Sequence, residues 1–380
     1  MRIAHIGSKG IPSKGGTERV VEAVATRHAR EHQVTVYGSE RVCSTRMYEG
    51  VRVLAIPALA AKHVGPVVLQ FRAALHALLR ERYDVVHVHA SENGFVVPLL
   101  RLRYPVVTTN HGPAYEREKW GVVARRLIRA NERSSVRFAT VATAVAANQA
   151  EQLSERYGRR VVHVPNGVDP QEPTAIDEAL AMLDDHRLAR GEYVLFAAAR
   201  VDPTKGCHTL LEACHLLEAP PPVLVIGDLG HAPGYEAQLR KLAEGLPVTF
   251  VPRLDDKSVL MGLLQNCRVF VFPSTVEAMS MMLLEALAVG SVGLASDIPE
   301  NSDVVPPGYP TFRAADAADL SRHLKTLLAW GDEERQHQVE AGSQWVHARF
   351  DWDRIAAEYE RLYREVARRR RRRPLRHPIA

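Results

Sequence analysis

The sequence predicts an α/β protein built from two doubly wound, parallel-sheet domains. The chain has 380 residues, which corresponds to roughly two to three domains of about 150 residues. Short runs rich in Val and Ile alternate with segments of helical periodicity, as expected for successive βαβ units. Runs such as VVHV at 85–88 are predominantly apolar without alternation, which is typical of parallel strands covered by helices on both faces.

Seven strands are predicted in the first half of the chain. They cover residues 2–7, 33–38, 51–57, 84–90, 105–111, 140–146 and 160–166. A helix is expected to open near Thr17, after the glycine-rich loop that follows the first strand. Residues 166–180 are rich in Pro and acidic residues and contain no strand pattern, so we divide the chain there, into domains at 1–168 and 169–350.

The strand and helix alternation then starts again in the second half. Predicted strands cover residues 192–200, 223–228, 248–254, 268–274 and 291–297, with a weaker one at 309–312. Residues 351–367 carry an apolar stripe at helical spacing, which predicts a C-terminal helix that packs on one of the domains. Residues 368–380 form a basic tail whose arginine run has no apolar partner residues, and we expect this tail to be disordered.

Composition limits the class of protein. With 46% hydrophobic and 24% charged residues, the chain has the composition of an ordinary globular enzyme. Its four cysteines are widely spaced without a CxxC pair, which argues against a zinc ribbon and against a secreted disulfide framework. The sequence shows neither a secretory signal nor an apolar run of ~18 residues, so a cytoplasmic location is expected.

The positive charge is concentrated at the C-terminus. The formal net charge is +5, and seven positive charges lie in Arg368–Arg373 and Arg376, so the rest of the chain carries −2. No nucleic-acid partner is therefore expected. The tail is interpreted as solvated, with peripheral contact of Arg368–Arg376 with an anionic membrane as the alternative.

A glycine-rich loop follows the first predicted strand. Its glycines at positions 7, 10, 15 and 16 fit neither the GxGxxG dinucleotide fingerprint nor a Walker A loop. Backbone N–H groups at Gly15 and Gly16, near a helix start, could approach a phosphate or a sugar hydroxyl. A glycine-rich loop that only permits a tight turn is an equally good interpretation.

Two cations flank the first turn of the second domain. Arg200 is expected at the end of that domain's first strand and Lys205 at the start of the following helix. Ligands of open α/β sheets bind at the carboxyl ends of strands, and a pair of cations there suits a diphosphate whose charge grows as it departs. Taken separately, each residue could be a solvated surface charge.

Residues 273–291 place two carboxylates around a predicted helix start. Glu277 precedes the helix, Glu285 lies inside it, and Gly290 is expected to end it. Ser280 is a suitable N-cap, so the amides of Met281 and Met282 would point toward a ligand and favour an anion. A core helix with one glutamate on its polar face is the alternative.

Three histidines could form a metal site. His87 and His89 alternate along one predicted strand and share a face, and His111 ends the next strand. No cysteine or carboxylate accompanies them at ligand spacing, so we expect no metal and interpret them as core or ligand-lining side chains.

Five motifs in this order resemble glycosyltransferase family 4. They are GGTE at 15–18, NHG at 110–112, PNGVD at 165–169, the R-x4-K of Arg200 and Lys205, and the E-x7-E of Glu277 and Glu285. The resemblance spans nearly the whole chain. It implies the GT-B fold, two Rossmann-like doubly wound lobes with a cleft between them, and a retaining transferase that uses a nucleotide sugar.

The resemblance also implies roles for individual residues. Gly16 would lie beside the donor phosphates and acceptor, and His111 near the transferred sugar. Arg200 and Lys205 would hold the diphosphate, Glu277 would face the hexose, and Glu285 would bind the ribose. The remaining implied contacts are Asn166 beside the hinge, Arg253 and Leu254 at the base, and the donor-side segment Ala278, Met279, Ser280, Met281 and Met282.

The segment after Glu277 departs from the family pattern. Family members commonly read E-G-F-G, whereas this chain has Glu277-Ala278-Met279-Ser280, which leaves the donor sugar open. The resemblance implies transfer of a hexosyl group from a UDP- or GDP-sugar to a hydroxyl in polysaccharide or glycoconjugate synthesis, without a metal. Glu116 and Glu118 would suit a cationic acceptor such as an aminocyclitol. A GT-B epimerase or phosphorylase, and a non-catalytic nucleotide-binding module, are also compatible with these motifs.

Overall fold

The computed structural model describes residues 1–12, 15–61, 64–112, 121–169, 174–230 and 232–371. The chain forms two compact units. Unit 1 contains Met1–Gly167 together with the C-terminal residues from Trp352, and unit 2 is the continuous segment Val168–Asp351.

Unit 1 contains an eight-stranded sheet. Its strands are β1 (Arg2–Ile6), β2 (Gln33–Ser39), β3 (Met47–Tyr48), β4 (Val51–Ile56), β5 (Val85–His89), β6 (Val106–Asn110), β7 (Val141–Ala144) and β8 (Val161–His163). The order is β3-β4-β2-β1-β5-β6-β7-β8, and all pairs are parallel except β3 with β4. The helices between these strands are α1 (Gly16–Ala29), α2 (Val64–Arg80), α3 (Val97–Arg101), α4 (Val122–Phe138) and α5 (Ala147–Tyr157).

Unit 2 contains a six-stranded, fully parallel sheet. Its strands are β9 (Val194–Arg200), β10 (Val223–Asp228), β11 (Val248–Val251), β12 (Val269–Phe272), β13 (Gly293–Ser296) and β14 (Thr311–Phe312), in the order β11-β10-β9-β12-β13-β14. Its helices are α6 (Ile176–Asp185), α7 (Cys207–His215), α8 (Pro233–Leu242), α9 (Lys257–Asn266), α10 (Met281–Ala288), α11 (Pro299–Ser302), α12 (Ala317–Leu328) and α13 (Asp332–Arg349).

The strand order reverses once in each sheet. In unit 1 the reversal falls between β1 and β5, and in unit 2 between β9 and β12. This is the strand order of doubly wound α/β folds, so the predicted fold class is confirmed. Ligands of such sheets bind beyond the carboxyl ends of the strands where the order reverses. Ligand contacts are therefore expected from the loops after β1, β5, β9 and β12.

The C-terminal helix α14 (Trp352–Arg371) packs on α1 in unit 1. Arg27 Nε donates to Asp353 Oδ1 at 2.6 Å, and Tyr359 and Tyr363 are fully buried. The helix continues to Arg371, so residues 368–371 are helical and the predicted start of the tail was wrong. Arginine favours helix, and Arg369 pairs with Glu365 one turn earlier. Among the described residues, no helix is sufficiently long and apolar to span a bilayer.

Candidate functional site

The loops after β9 and β12 are joined by backbone contacts. Gly206 follows the short turn Pro203–Lys205 with φ +70°, and a Cβ there would lie 2.0 Å from the carbonyl oxygen of Pro273. Thr275 N–H donates to the carbonyl oxygen of Thr204 at 2.8 Å. Lys205 therefore lies in a 3-10 turn before α7, not in the helix as the sequence suggested, because Asp202 caps that turn.

These contacts bring Lys205 and Glu277 together. Lys205 Nζ donates to Glu277 Oε1 at 2.6 Å, and their side chains are 26% and 12% exposed. Arg200 ends β9 with an exposed side chain that makes no hydrogen bond or ion pair with any described residue. At the point in unit 2 where the strand order reverses, the Arg200 guanidinium is therefore available to a ligand, whereas the Lys205 ammonium is already paired with the Glu277 carboxylate.

Helix α10 begins beside this pair. Ser280 Oγ accepts a hydrogen bond from Leu283 N–H at 3.4 Å, which confirms the predicted N-cap. Gly290 lies just beyond the helix with φ +77°, as expected of a residue that stops it. Met279 is buried, whereas Ala278 and the first helical residues Met281 and Met282 are half-buried.

Glu285 is fully buried inside α10. Lys257, the first residue of α9, places Nζ 3.3 Å from Glu285 Oε1. A buried carboxylate requires a charged or hydrogen-bonding partner, and Lys257 supplies one. Arg253 is exposed and Leu254 half-buried just after β11, at the edge of the sheet and separated from β12 by β10 and β9. Lys257 belongs to none of the five motifs, so the sequence did not predict its place beside Glu285.

The glycine-rich loop of unit 1 is fixed to β5 by side chains. Gly7 has φ +111°, and a Cβ there would lie 2.2 Å from the carbonyl oxygen of His89. Asn93 Nδ2 donates to the carbonyl oxygens of Gly7 and His89 at 3.0 and 2.8 Å. Gly15 precedes α1 as its N-cap, and a Cβ on Gly16 would meet no atom of the described residues within 4 Å. As far as the described residues go, Gly16 therefore leaves room for a ligand.

The NHG turn after β6 is also held by hydrogen bonds. Asn110 Oδ1 accepts from Gly112 N–H at 3.0 Å and from Gln149 Nε2 at 3.1 Å. His111 Nε2 lies 3.3 Å from His89 Nδ1, and burial lowers the pKa of His111 to about 4. His111 is therefore a neutral imidazole at neutral pH. Asn166 is buried near the end of the first segment of unit 1, whereas Glu116 and Glu118 lie outside the described residues.

The histidine cluster differs from the predicted trio. His5, His87 and His89 are fully buried with ring nitrogens within 4.8 Å of one another, whereas His111 contacts only His89 among them. His87 Nδ1 lies 2.6 Å from Tyr363 OH, and Nε2 lies 2.7 Å from Thr109 Oγ1. A metal held by these three rings would have to break one of those short contacts, so the cluster fits a hydrogen-bonded core better than a metal site.

Two family models match the chain in succession. The model for glycosyltransferase family 4 matches residues 14–172, and the model for glycosyl transferases group 1 matches residues 181–345.

Named relatives match along most of their length. The phosphatidyl-myo-inositol mannosyltransferase of Mycobacterium leprae is 29% identical over 97% of both chains. The D-inositol 3-phosphate glycosyltransferase of Geodermatophilus obscurus is 29% identical over 94% of this chain and 87% of its own.

Solved structures show the same fold at lower identity. The sucrose-phosphate synthase of Thermosynechococcus elongatus superposes with a TM-score of 0.79 at 21% identity, over 96% of this chain and 98% of its own. Anabaena HepE in complex with UDP-glucose superposes with a TM-score of 0.77 at 17% identity, over 96% of this chain and 99% of its own.

Proposed function

Because the chain is a glycosyltransferase of family 4 with the GT-B fold, we propose that it transfers a hexosyl group from a nucleoside diphosphate sugar with retention of configuration. The observation that carries this proposal is the arrangement at the β9–β12 reversal. There the exposed Arg200, and Lys205 paired with Glu277 at 2.6 Å, supply groups of both charges that such a donor needs.

The two cations would bind the diphosphate. Arg200 can hold two phosphate oxygens at once through its planar guanidinium, and Lys205 adds a compact point charge. Negative charge grows on the diphosphate as the glycosidic bond breaks, so both contacts strengthen in the transition state. We propose that these side chains take the part that a divalent metal plays elsewhere, and that transfer persists in a chelator.

Glu277 would bind donor hydroxyls rather than attack the sugar. In the double-displacement route of glycosidases, the nucleophilic carboxylate and its partner carboxyl lie ~5 Å apart. Glu277 instead pairs with the cation that would hold the diphosphate. We therefore propose attack by the acceptor hydroxyl on the face that the diphosphate leaves, with a leaving phosphate oxygen accepting the proton.

The remaining groups would position the nucleoside and the sugar. Glu285, paired with Lys257, would accept hydrogen bonds from ribose hydroxyls, and Arg253 with Leu254 would border the base. His111 would lie near the transferred sugar. Anabaena HepE is described with UDP-glucose, which supports a UDP-sugar donor, with a GDP-sugar as the second candidate.

The names of the relatives favour an inositol-containing acceptor. They act on phosphatidyl-myo-inositol or on D-inositol 3-phosphate. We propose a hydroxyl of such a cyclitol, either lipid-linked or free, as the acceptor. A lipid-linked acceptor would place the protein at the cytoplasmic face of a membrane, where the arginines from Arg368 to Arg376 could contact anionic lipid.

A nucleotide-sugar panel tests the donor proposal. Thermal shift is measured with UDP-, GDP-, dTDP- and ADP-sugars, and nucleotide release is then measured with inositol phosphate and with phosphatidylinositol vesicles. We expect one nucleotide to stabilise the wild type and Lys205→Ala to lose most of that shift. The matched control is Lys325→Ala, an exposed lysine of α12, which should behave like the wild type. No shift with any nucleotide sugar would contradict the proposal.

Product analysis tests the stereochemistry. An α-linked donor should give an α-linked product, detected from the anomeric proton coupling in NMR spectra, and activity should persist in EDTA. A β-linked product, or a glycosyl group trapped on Glu277, would overturn the proposed route.

A further inference from the structure

We propose that His5 and His89 form a directed hydrogen-bond chain that holds His111 as its Nδ1–H tautomer. His111 would then act as a neutral hydrogen-bond donor rather than as a base. The assignment of the tautomer stands on the geometry of unit 1, whereas the catalytic use of His111 rests on the function proposed above.

The three imidazoles lie on neighbouring strands. His5 is in β1, His89 ends β5, and His111 directly follows β6. His5 Nδ1 lies 3.0 Å from His89 Nε2, and His89 Nδ1 lies 3.3 Å from His111 Nε2. Successive rings are stacked at interplanar angles of 21° and 22°. The chain therefore runs across the reversal of strand order, from the core to the NHG turn.

The central imidazole must donate on one side and accept on the other. Burial lowers the pKa of His5 to about 3 and the pKa of His89 well below its usual value, so each ring carries a single N–H at neutral pH. His89 has an imidazole nitrogen at each end. The hydrogen bonds can therefore run from His5 to His111 or from His111 to His5. Once the protonated nitrogen of one terminal ring is known, the protonated nitrogen of every ring is fixed.

The end at His5 selects the direction. His5 Nε2 is buried and has no hydrogen-bond partner among the described residues. Among buried backbone groups, orphaned N–H donors are rarer than under-satisfied acceptors, and we apply the same preference to the imidazole and assign Nε2 as the bare nitrogen. His5 Nδ1–H then donates to His89 Nε2, and His89 Nδ1–H donates to His111 Nε2.

This direction determines what His111 can do. Its Nε2 accepts from His89, so its proton lies on Nδ1, which makes no hydrogen bond with any described residue. Protonation at Nε2 would reverse the whole chain and leave a buried, unpartnered N–H on His5. His111 is thus suited to donate a hydrogen bond to a sugar or phosphate oxygen, and His5 and His89 are positioning residues.

Long-range proton–nitrogen NMR of histidine-labelled wild-type protein tests the tautomer without any substrate. At neutral pH, His111 should show a protonated Nδ1 and a bare Nε2, and His5 should show the same pattern. An Nε2–H tautomer, an imidazolium, or a stoichiometric metal ion on these rings would overturn the proposal. A correct tautomer in a protein with no transferase activity would instead refute only the proposed function.

Amide isosteres test the use of that tautomer in the reaction. The side-chain nitrogen of Asn occupies the place of Nδ1, and that of Gln the place of Nε2. We expect His111→Asn to keep a kcat about tenfold above that of His111→Gln, with similar KM for the donor. Equal rates, or the reverse order, would contradict a donor role for Nδ1–H.

The same comparison at His89 tests positioning. In His89→Asn, the amide nitrogen takes the place of Nδ1 and can still donate to His111 Nε2. In His89→Gln, the amide nitrogen takes the place of Nε2 and no longer faces His111. The NMR spectrum of His111 should remain that of a single tautomer in His89→Asn and become a mixture in His89→Gln. An unchanged single tautomer in both folded variants would show that His89 does not set the proton position.

Discussion

Lys205 and Glu277 form an ion pair that donor binding would have to separate. Each is only partly exposed, and Nζ and Oε1 lie 2.6 Å apart. In the proposed complex, Lys205 turns to the diphosphate and Glu277 to the hexose. While no donor is bound, each side chain therefore neutralises the charge of the other, and both remain at the proposed donor site.

Replacement of Glu277 by Gln separates these roles. The variant should bind UDP at least as tightly as the wild type, because Lys205 loses its carboxylate partner. Its kcat should fall about 100-fold, since a contact to the transferring sugar is weakened. Calorimetry with UDP and initial rates measure the two effects. Glu236→Gln in α8, which removes the surface pair with Arg240, is the control and should change neither.

Lys257 and Glu285 should be energetically coupled. The carboxyl group is fully buried, and the lysine Nζ is 3.3 Å away. A double-mutant cycle with Lys257→Met and Glu285→Gln should give a coupling free energy of about 1–3 kcal/mol, measured by urea unfolding. Additive effects of the two substitutions would show that other partners of Glu285 supply the compensation.

Site residues that lie in motifs are predictable from the sequence, whereas residues that only pack beside them are not. Lys205 and Glu277 belong to short patterns with fixed spacing, so they could be selected before their contact was known. His5 is the one buried polar residue of β1, and its partner His89 is 84 positions away. Lys257 was missed for the same reason, because no local pattern connects it with Glu285.

At the scale of elements, Gly206 determines how the turn carrying Lys205 meets the loop after β12. Gly206→Ala would force φ +70° on a residue with a Cβ and place that Cβ 2.0 Å from Pro273 O. We expect a loss of about 1–3 kcal/mol in unfolding free energy and weaker UDP binding, measured by urea unfolding and calorimetry.

Gly234→Ala in α8 provides the matched comparison. A Cβ at that position meets no described atom within 4 Å, and the glycine lies in the first turn of the helix. The substitution should be neutral or stabilising by up to about 1 kcal/mol. Equal destabilisation by both alanines would refute the close approach at Gly206.

The element boundaries show what hydrophobic patterns can and cannot predict. Strand β10 was placed at its observed bounds of 223–228 because an apolar run ends there at Asp228. Strand β3 was missed, since Met47–Tyr48 is a two-residue edge strand with no periodic pattern. The helical residues 368–371 were assigned to the tail because charge, rather than periodicity, guided that boundary.

At the scale of the whole molecule, buried histidines should make stability depend on pH. Burial lowers the pKa values of five histidines of unit 1 from 6.5, namely His5, His28, His87, His89 and His111. The unfolded chain binds more protons below pH 6.5, so their contribution is complete above that pH and decreases as pH falls. Each histidine can add up to about 1.4 kcal/mol per pH unit to the slope of the unfolding free energy against pH.

Urea unfolding from about pH 7.5 down to about pH 4.5 measures this dependence. We expect the free energy of unfolding of unit 1 to decrease steadily below pH 6.5. A flat profile over this range would mean that these rings are protonated in the folded protein.

Unit 2 begins and ends at neighbouring points of the backbone. Val168 N–H donates to the carbonyl oxygen of Phe350 at 2.7 Å, and Val168 forms a parallel bridge with Asp351. The segment between them is continuous and holds the proposed diphosphate groups, while the sequence on either side belongs to unit 1. We therefore expect residues 168–351 to be exchangeable as one segment between relatives, and a chimera made in this way should take its nucleotide preference from the inserted segment.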